Sequence, residues 1–206
     1  MTAASTTSTD LEIFTGAPAP PPPRPRVLLV GSALASGAAA MVVLALVAIY
    51  TRMRADVIAG GDTWLPEDAN VQLSPGNMGM VTLLMSGVTV AWAVYSLRTD
   101  DRAHAYLAFG LSILLGVAYI PTVVYGWQQL GVGVTSSTQA LLIFTITGLH
   151  VAMAGVGLAF LAVMAFRALG GQLTGRAAEG ANAAALFWYV TIAVYGVVWY
   201  AITITK

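Results

Sequence analysis

The sequence predicts an all-α membrane protein, a polytopic bundle of five transmembrane helices. Of its 206 residues, 58% are hydrophobic and only 9% are charged, whereas a soluble domain carries about 25% charged residues. Five segments reach the roughly 20 apolar residues that a helix needs to cross the hydrocarbon core. None of them shows the alternation of apolar and polar residues that is typical of membrane barrel strands.

The five predicted spans follow one another along the chain, separated by connections. They cover residues 27–50, 77–97, 104–125, 139–166 and 183–205. Ser74 can cap the second span, and Pro75 suits a first helical turn. Pro121 is expected to kink the third span near its end. Residues 27–206 therefore form one transmembrane domain.

The first 26 residues differ in composition from the rest. They are rich in Ser, Thr and Pro, which predicts an extended, disordered cytoplasmic tail. A docking segment for a partner is the alternative. A secretory signal would begin with basic residues and an apolar run, and this segment does not.

The distribution of basic residues predicts the orientation in the membrane. Six of them lie in the tail and in the connections after the second and fourth spans, and three lie on the opposite side. We therefore expect a cytoplasmic N-terminus and an external C-terminus. The six are Arg24, Arg26, Arg98, Arg102, Arg167 and Arg176, and the three are Arg52, Arg54 and Lys206.

The positions of the ionisable residues argue against several functions. All nine acids lie in the tail or the connections, so no carboxylate can relay a proton through the helices, as a pump or an ion-coupled transporter would need. The chain has no cysteine and therefore no disulfide or thiol nucleophile. Its net charge of zero does not suggest a nucleic-acid partner. It also lacks a phosphate-binding glycine loop and a zinc motif.

His150 is the only ionisable residue that lies deep in a predicted span. It lies 11 positions into the fourth span, roughly 16 Å along a helix, whereas His104 lies at the inner end of the third. Joint haem ligation by the two is not expected. With Thr145 and Thr147 nearby, the imidazole favours an interhelical or helix-backbone hydrogen bond. Contact with a lipid headgroup or a partner, and metal or haem ligation, are the alternatives.

Small residues form stripes on two spans. Such stripes let helices approach closely, so we expect packing within the bundle; a lipid or partner groove is the alternative. The stripe of the fourth span is Gly148, Ala152, Gly155 and Ala159, and that of the second is Gly79, Ser86 and Gly87, with Thr82 and Thr89.

Tryptophans mark the predicted helix ends. Trp64, Trp127, Trp188 and Trp199 lie at or near such ends, where interfacial anchors are expected. Trp92 lies deeper, within the second span.

Several motifs together resemble the haem-copper (cytochrome c) oxidase subunit III family, in the five-helix form without the family's first two helices. "SGVTVAWAVYSL" resembles the second-helix signature, and "TGLHVAMAGVGL" resembles the Thr-Gly-Leu-His run. The family's Tyr-Glu-Trp run is similar to "LLGVAYIPTVVYGWQQLG", and its last helix is similar to "LFWYVTIAVYGVVWY". The loop before the signature is similar to "WLPEDANVQLSPGN". The resemblance covers about residues 27–206, in order.

Most polar family positions have changed in this sequence. The family's His-His pair is replaced by Val94 and Tyr95, and the glutamate of Tyr-Glu-Trp by Gly126. Other family histidine or aspartate positions carry Met153, Tyr189 and Ile192, whereas His150, Trp92, Trp127 and Trp188 remain. This is the pattern of a divergent subunit III or of a paralogue.

The resemblance implies a non-catalytic accessory subunit of a respiratory terminal oxidase in a bacterial plasma membrane. Subunit I, other oxidase subunits and phospholipid are the expected partners. The subunit would support proton uptake by subunit I, with haem and copper in the partner subunits and none in this chain.

Alternatives are a paralogue serving a nitric oxide reductase or another respiratory assembly, or a small transporter or assembly factor. The electron donor, cytochrome c or quinol, and membership of a supercomplex stay open. The candidate lipid or subunit contacts are Trp92, His150, Gly148, Gly155, Trp127 and Trp188.

Overall fold

The computed structural model describes residues 26–173 and 179–205, and this part of the chain is helical. Five helices are long and apolar enough to cross a membrane, which confirms the predicted all-α, five-helix membrane fold. The helices are α1 (Val27–Ala59), α2 (Leu73–Arg98), α3 (Arg102–Gln129), α4 (Thr138–Leu169) and α5 (Glu179–Trp199), and a π-helical turn, Tyr200–Ile204, follows α5.

Helix α1 is longer than the predicted span and continues past residue 50 to Ala59. At 33 residues it is about 50 Å long, whereas the hydrocarbon core is about 30 Å thick. A helix needs no apolar residues once it has left the membrane. Arg52 and Asp56, one turn apart, form an ion pair of 3.1 Å on this extension. Hydropathy therefore predicted the membrane part of α1 and not its full length.

The starts of the other helices are set by local chemistry. Pro75 lies in the first turn of α2, where its missing N–H costs no helical hydrogen bond, but Ser74 is not the cap, because α2 begins at Leu73. Asp101 caps α3 by accepting the His104 N–H at 3.2 Å. Ser137 caps α4 by accepting the Ala140 N–H at 3.1 Å. Helix α3 continues through Pro121 without interruption.

Helix α5 is the centre of the bundle. It packs against α1, α2 and α4, while α2 and α3 form a closely packed antiparallel pair. The first half of α5 is rich in small residues, which let neighbouring helices approach closely. The buried ones are Gly180, Ala181, Ala183, Ala184 and Ala185.

The second-span stripe packs against α5, as predicted. A Cβ atom on Gly79 would lie 2.6 Å from the Tyr195 hydroxyl, and one on Gly87 would lie 2.9 Å from Cδ1 of Ile192. Real Cβ atoms do not come so close to a neighbour. The two glycines therefore leave room for the Tyr195 and Ile192 side chains of α5 to lie close against α2.

Helix α1 is joined to α5 near the N-terminus of both. The Glu179 carboxylate accepts the backbone N–H groups of Leu28 at 3.1 Å and Leu29 at 3.3 Å. These are among the N–H groups that a helix leaves unbonded at its start. One turn further on, the Ser32 hydroxyl donates to the carbonyl of Ala183 at 2.6 Å.

Two sequence-based predictions fall outside the described residues. The Pro-rich tail, apart from Arg26, and the connection that carries Arg176 are not in the described ranges, nor is Lys206. The disordered tail and the orientation of the termini therefore stay predictions.

Candidate functional site

A buried polar cluster joins α3, α4 and α5 around His150. His150 is fully enclosed. Its Nδ1 lies 2.8 Å from the Tyr119 hydroxyl of α3, and its Nε2 lies 3.0 Å from the Thr191 carbonyl of α5. The predicted interhelical hydrogen bond is therefore confirmed, but with other partners than Thr145 and Thr147.

The partners fix the protonation of the imidazole. A carbonyl oxygen only accepts hydrogen bonds, so Nε2 carries the proton and Nδ1 accepts from the Tyr119 hydroxyl. Both ring nitrogens are then engaged in a neutral imidazole. This geometry favours the structural interpretation of His150 over metal ligation, because neither nitrogen has a lone pair free for a ligand.

Two tyrosines complete this cluster, and sequence reasoning missed both. The ring of Tyr195 packs against His150 at 5.1 Å and against Tyr119 at 5.0 Å between centroids. Its hydroxyl donates to the carbonyl of Gly76 at 3.2 Å, which ties α5 to α2. The available signal was a tyrosine in the middle of an apolar span, since a buried phenol usually has a hydrogen-bond partner.

Among the residues that the structure describes, Trp188 is the largest fully buried side chain, and it lies between α3 and α4. A Cβ on Gly116 would lie 2.9 Å from its ring, and one on Gly157 would lie 2.7 Å from its Cε3. Its Nε1 donates to the Ser86 hydroxyl at 3.0 Å, and Ser86 donates to the Ser112 carbonyl. The prediction of an interfacial anchor is wrong for Trp188, because α5 begins earlier than residue 183 and two glycines make room for the indole.

Trp127 lies near the end of α3, as predicted, and contacts α4. Its Nε1 donates to the Thr147 hydroxyl at 2.8 Å. A Cβ on Gly148 would be in ordinary contact with the same indole, at 3.8 Å. Trp199 also lies at a helix end, and its Nε1 donates to the Asn77 side chain at 2.9 Å.

The remainder of the α4 stripe faces away from the bundle. Ala152, Gly155 and Ala159 are exposed, and a Cβ on Gly155 would have no neighbour within 4 Å. The prediction that this stripe packs inside the bundle is therefore wrong for these residues. The spacing of small residues predicts that one face of the helix is smooth. It does not predict whether that face points into the bundle or away from it.

Trp92 lies close to the other histidine at the start of α3. Its ring is 5.8 Å from that of His104. His104 Nδ1 lies 2.6 Å from the Asp101 carboxylate, and both side chains are exposed. The His104 backbone N–H, which donates to the same carboxylate, holds the pKa of Asp101 below its ordinary value of 3.8.

A small cavity lies beside Gly126 of α3. It has a volume of about 70 Å³, and its lining includes Gly126, Trp127, Gln72, Tyr195 and Thr203. A Cβ on Gly126 would be in ordinary contact with Pro75 at 3.5 Å. The lining is mainly apolar. Across the described ranges, 26–173 and 179–205, no group of three or more potential metal-ligating side chains comes together.

The fold and this cluster define a class of protein: a multi-pass helical membrane protein whose buried histidine and tryptophan side chains hold its helices together. The family model described as cytochrome c oxidase subunit III matches residues 33–205 of this chain. This range reaches from α1 to the end of the π-helical turn that follows α5. The chain belongs to this family.

Curated proteins of the same description are similar over part of the chain. The probable cytochrome c oxidase subunit 3 of Rickettsia conorii is 33% identical over 109 residues, which are 52% of this chain and 38% of that protein. The cytochrome c oxidase subunit 3 of Sus scrofa is 32% identical over 107 residues, 52% and 41% of the two chains. The cytochrome c oxidase subunit 3 of Scyliorhinus canicula is 30% identical over 132 residues, which are 63% of this chain and 50% of that protein. The matched region thus spans half or less of each relative.

Proposed function

We propose that the chain is a non-catalytic accessory subunit of a respiratory haem-copper terminal oxidase. The family match over residues 33–205 carries this proposal. The structure also supports the proposal, because the buried polar side chains around His150 form hydrogen bonds with one another or with helix backbone. A chain built in this way contributes surface and support to a neighbour that holds the reacting groups.

The finer parts of the proposal follow from the resemblance. Haem and copper reside in partner subunits, and this chain packs against catalytic subunit I. It binds phospholipid and supports proton uptake by subunit I during aerobic electron transport. The complex lies in a bacterial plasma membrane, with the N-terminus of this chain in the cytoplasm and the C-terminus outside.

The exposed stripe of α4 is the surface we propose for contact with a partner helix or with lipid. Gly155 offers no Cβ, and Ala152 and Ala159 offer only one carbon each, so another helix can approach the backbone closely. Gly148 and Trp127 border this surface at one end. Trp92 of α2, which lies beside His104, is a further candidate contact.

A pull-down in mild detergent tests the proposal. The affinity-tagged full-length chain should recover oxidase subunits, and the eluate should show the visible spectrum of haem. Recovery of nitric oxide reductase subunits, or of the chain alone without haem absorbance, would refute it. The first outcome favours a paralogue serving another assembly, and the second favours a transporter or assembly factor.

A pair of variants tests the stripe within the same experiment. We expect Gly155→Leu to reduce recovery of oxidase subunits, because its side chain would separate two closely packed helices. Gly110→Leu is the control, since Gly110 is likewise exposed on α3 with nothing within 4 Å of a Cβ. Equal recovery with both variants would assign the stripe to lipid.

A further inference from the structure

The cavity beside Gly126 lies among the ends of four helices and is partly open. Its lining comes from the start of α2, the end of α3, the early part of α4, and the end of α5 with its π-helical turn. In a five-span bundle these ends belong to one side of the membrane, which is the external side in the predicted orientation. Among the described residues that line the cavity, none carries a charged side chain. The cavity therefore suits a neutral molecule, because a buried charge without a partner is costly.

Thr203 lines this cavity with a hydroxyl that lacks a hydrogen-bond partner. The residue is only 7% exposed, and its side chain bonds to no other atom of the described residues. Its oxygen is not one of the fully enclosed unpaired atoms, so it keeps accessible surface, which the cavity provides. A Cβ on Gly76 would lie 2.8 Å from this oxygen, so the glycine leaves room for it. Thr203 belongs to the π-helical turn, and such turns are frequent at functional sites.

Two further hydroxyl groups at the cavity can still accept hydrogen bonds. Tyr195 donates its proton to the Gly76 carbonyl at 3.2 Å, and Thr122 donates to the Tyr119 carbonyl at 2.7 Å. Each oxygen keeps acceptor capacity after donating. A Cβ on Gly79 would lie 2.6 Å from the Tyr195 oxygen and 3.1 Å from the Thr122 oxygen. The two oxygens are therefore close enough together for one small donor molecule to bond to both.

The size of the cavity and the chemistry of its lining together indicate its occupant. Roughly 10–15 Å³ is enough for one water molecule, and the cavity has a volume of about 70 Å³. Water is neutral, both donates and accepts, and makes about three hydrogen bonds when it is buried. We propose that the cavity beside Gly126 holds a cluster of ordered water molecules bound by Thr203, Tyr195 and Thr122. These waters join the ends of α3 and α5 at a place where the two helices are not in direct side-chain contact through those hydroxyls.

The proposed waters lie at the edge of the His150 cluster. Tyr195 belongs to both sites, because its ring packs against His150 and the residue also lines the cavity. His150 and Tyr119 are fully enclosed, so Tyr195 is the member of the cluster that water reaches. The inference concerns the fold alone and does not depend on the proposed function.

Radiolytic hydroxyl-radical footprinting of the full-length chain in nanodiscs, read by mass spectrometry, tests the proposal. A short X-ray pulse generates radicals from water, including water bound inside a protein, and these radicals oxidise the side chains beside it. Phe187 is the internal control, because it is an aromatic residue of the same helix, is 5% exposed like Tyr195, and lies outside the cavity lining. We expect Tyr195 to be oxidised several-fold faster than Phe187.

A pair of variants links this oxidation to the cavity. Gly126→Leu should reduce the oxidation of Tyr195 to the level of Phe187, because the new side chain fills the cavity while its Cβ makes only ordinary contacts. Gly110→Leu should leave the oxidation of Tyr195 unchanged, since Gly110 is exposed on α3 with nothing within 4 Å of a Cβ.

Two outcomes would overturn the proposal. Oxidation of Tyr195 no faster than that of Phe187 in the parent chain would show that the cavity is dry. Equal oxidation of Tyr195 in Gly126→Leu and Gly110→Leu would show that the water lies elsewhere. If Gly126→Leu does not fold, Thr203→Val decides, because it keeps the shape of the side chain and removes the hydroxyl. It should lower the oxidation of Tyr195, and unchanged oxidation would contradict the proposal.

Discussion

Replacing Gly157 with alanine should destabilise the bundle, because the added methyl group would meet the Trp188 ring. The new Cβ would lie 2.7 Å from Cε3 of Trp188 and 3.3 Å from Cδ1 of Phe187. Ordinary contact begins at 3.4 Å, so the indole would have to move by about 0.7 Å. It cannot do so freely, since Gly116 lies close to the same ring and Ser86 accepts its N–H.

The size of this effect follows from two opposing terms. Overpacking a well-filled core costs about 1–3 kcal/mol, whereas glycine to alanine within a helix gains about 1 kcal/mol in propensity. Gly155→Ala is the matched control, because Gly155 lies two residues away on the same helix with nothing within 4 Å of a Cβ. We therefore expect Gly157→Ala to be less stable than Gly155→Ala by about 1–3 kcal/mol.

Thermal unfolding of both variants in the same detergent measures the difference. The fraction that stays monodisperse after heating gives a midpoint for each protein. Gly157→Ala should have the lower midpoint, and Gly155→Ala should match or exceed the parent chain. If Gly157→Ala is as stable as Gly155→Ala, Trp188 is not held between α3 and α4 as described.

Three further predictions concern other parts of the chain. Tyr119→Phe leaves Nδ1 of His150 without a donor and should lower unfolding free energy by about 1 kcal/mol, measured by the same thermal assay; no change would mean that another donor replaces the phenol. The lowered pKa of Asp101 means that its contribution to stability is present above its ordinary value of 3.8 and is lost as pH falls through the lower, folded pKa. Wild type should therefore exceed Asp101→Asn in melting temperature at pH 6, with the gap closing below about pH 4; a constant gap would contradict this. Reporters fused at residues 2 and 206 should be read as cytoplasmic and external respectively, and the same side for both would contradict the five-span topology.

Hydropathy was sufficient to predict the five helices, but not their faces. Each span is apolar almost all round, so its sequence does not distinguish lipid from protein neighbours. The exposed side of Gly155 and the buried side of Gly157 illustrate this, because both are small residues in one apolar helix. The contrast arises from Trp188, which belongs to another helix.

The sequence predicted that His150 would form a hydrogen bond inside the bundle, but not which residues would be its partners. A neutral histidine deep in a membrane span needs hydrogen-bond partners, which follows from its burial. The partners, Tyr119 and the Thr191 carbonyl, lie 31 and 41 positions away along the chain. The rotation of three helices about their axes brings them together, and no local pattern encodes this rotation. The cavity at Gly126 likewise depends on residues from several helices.

The central position of α5 has a consequence for biosynthesis. The chain is synthesised from its N-terminus, so α1 can enter the bilayer before α5, the helix against which it mainly packs, has been made. The α2–α3 pair, whose members are adjacent in the chain, can associate as soon as both are inserted. In contrast, α1 must remain in lipid without its main neighbour until Glu179 and the small residues after it have been translated. Assembly of the bundle is therefore a late event that waits for the last helix.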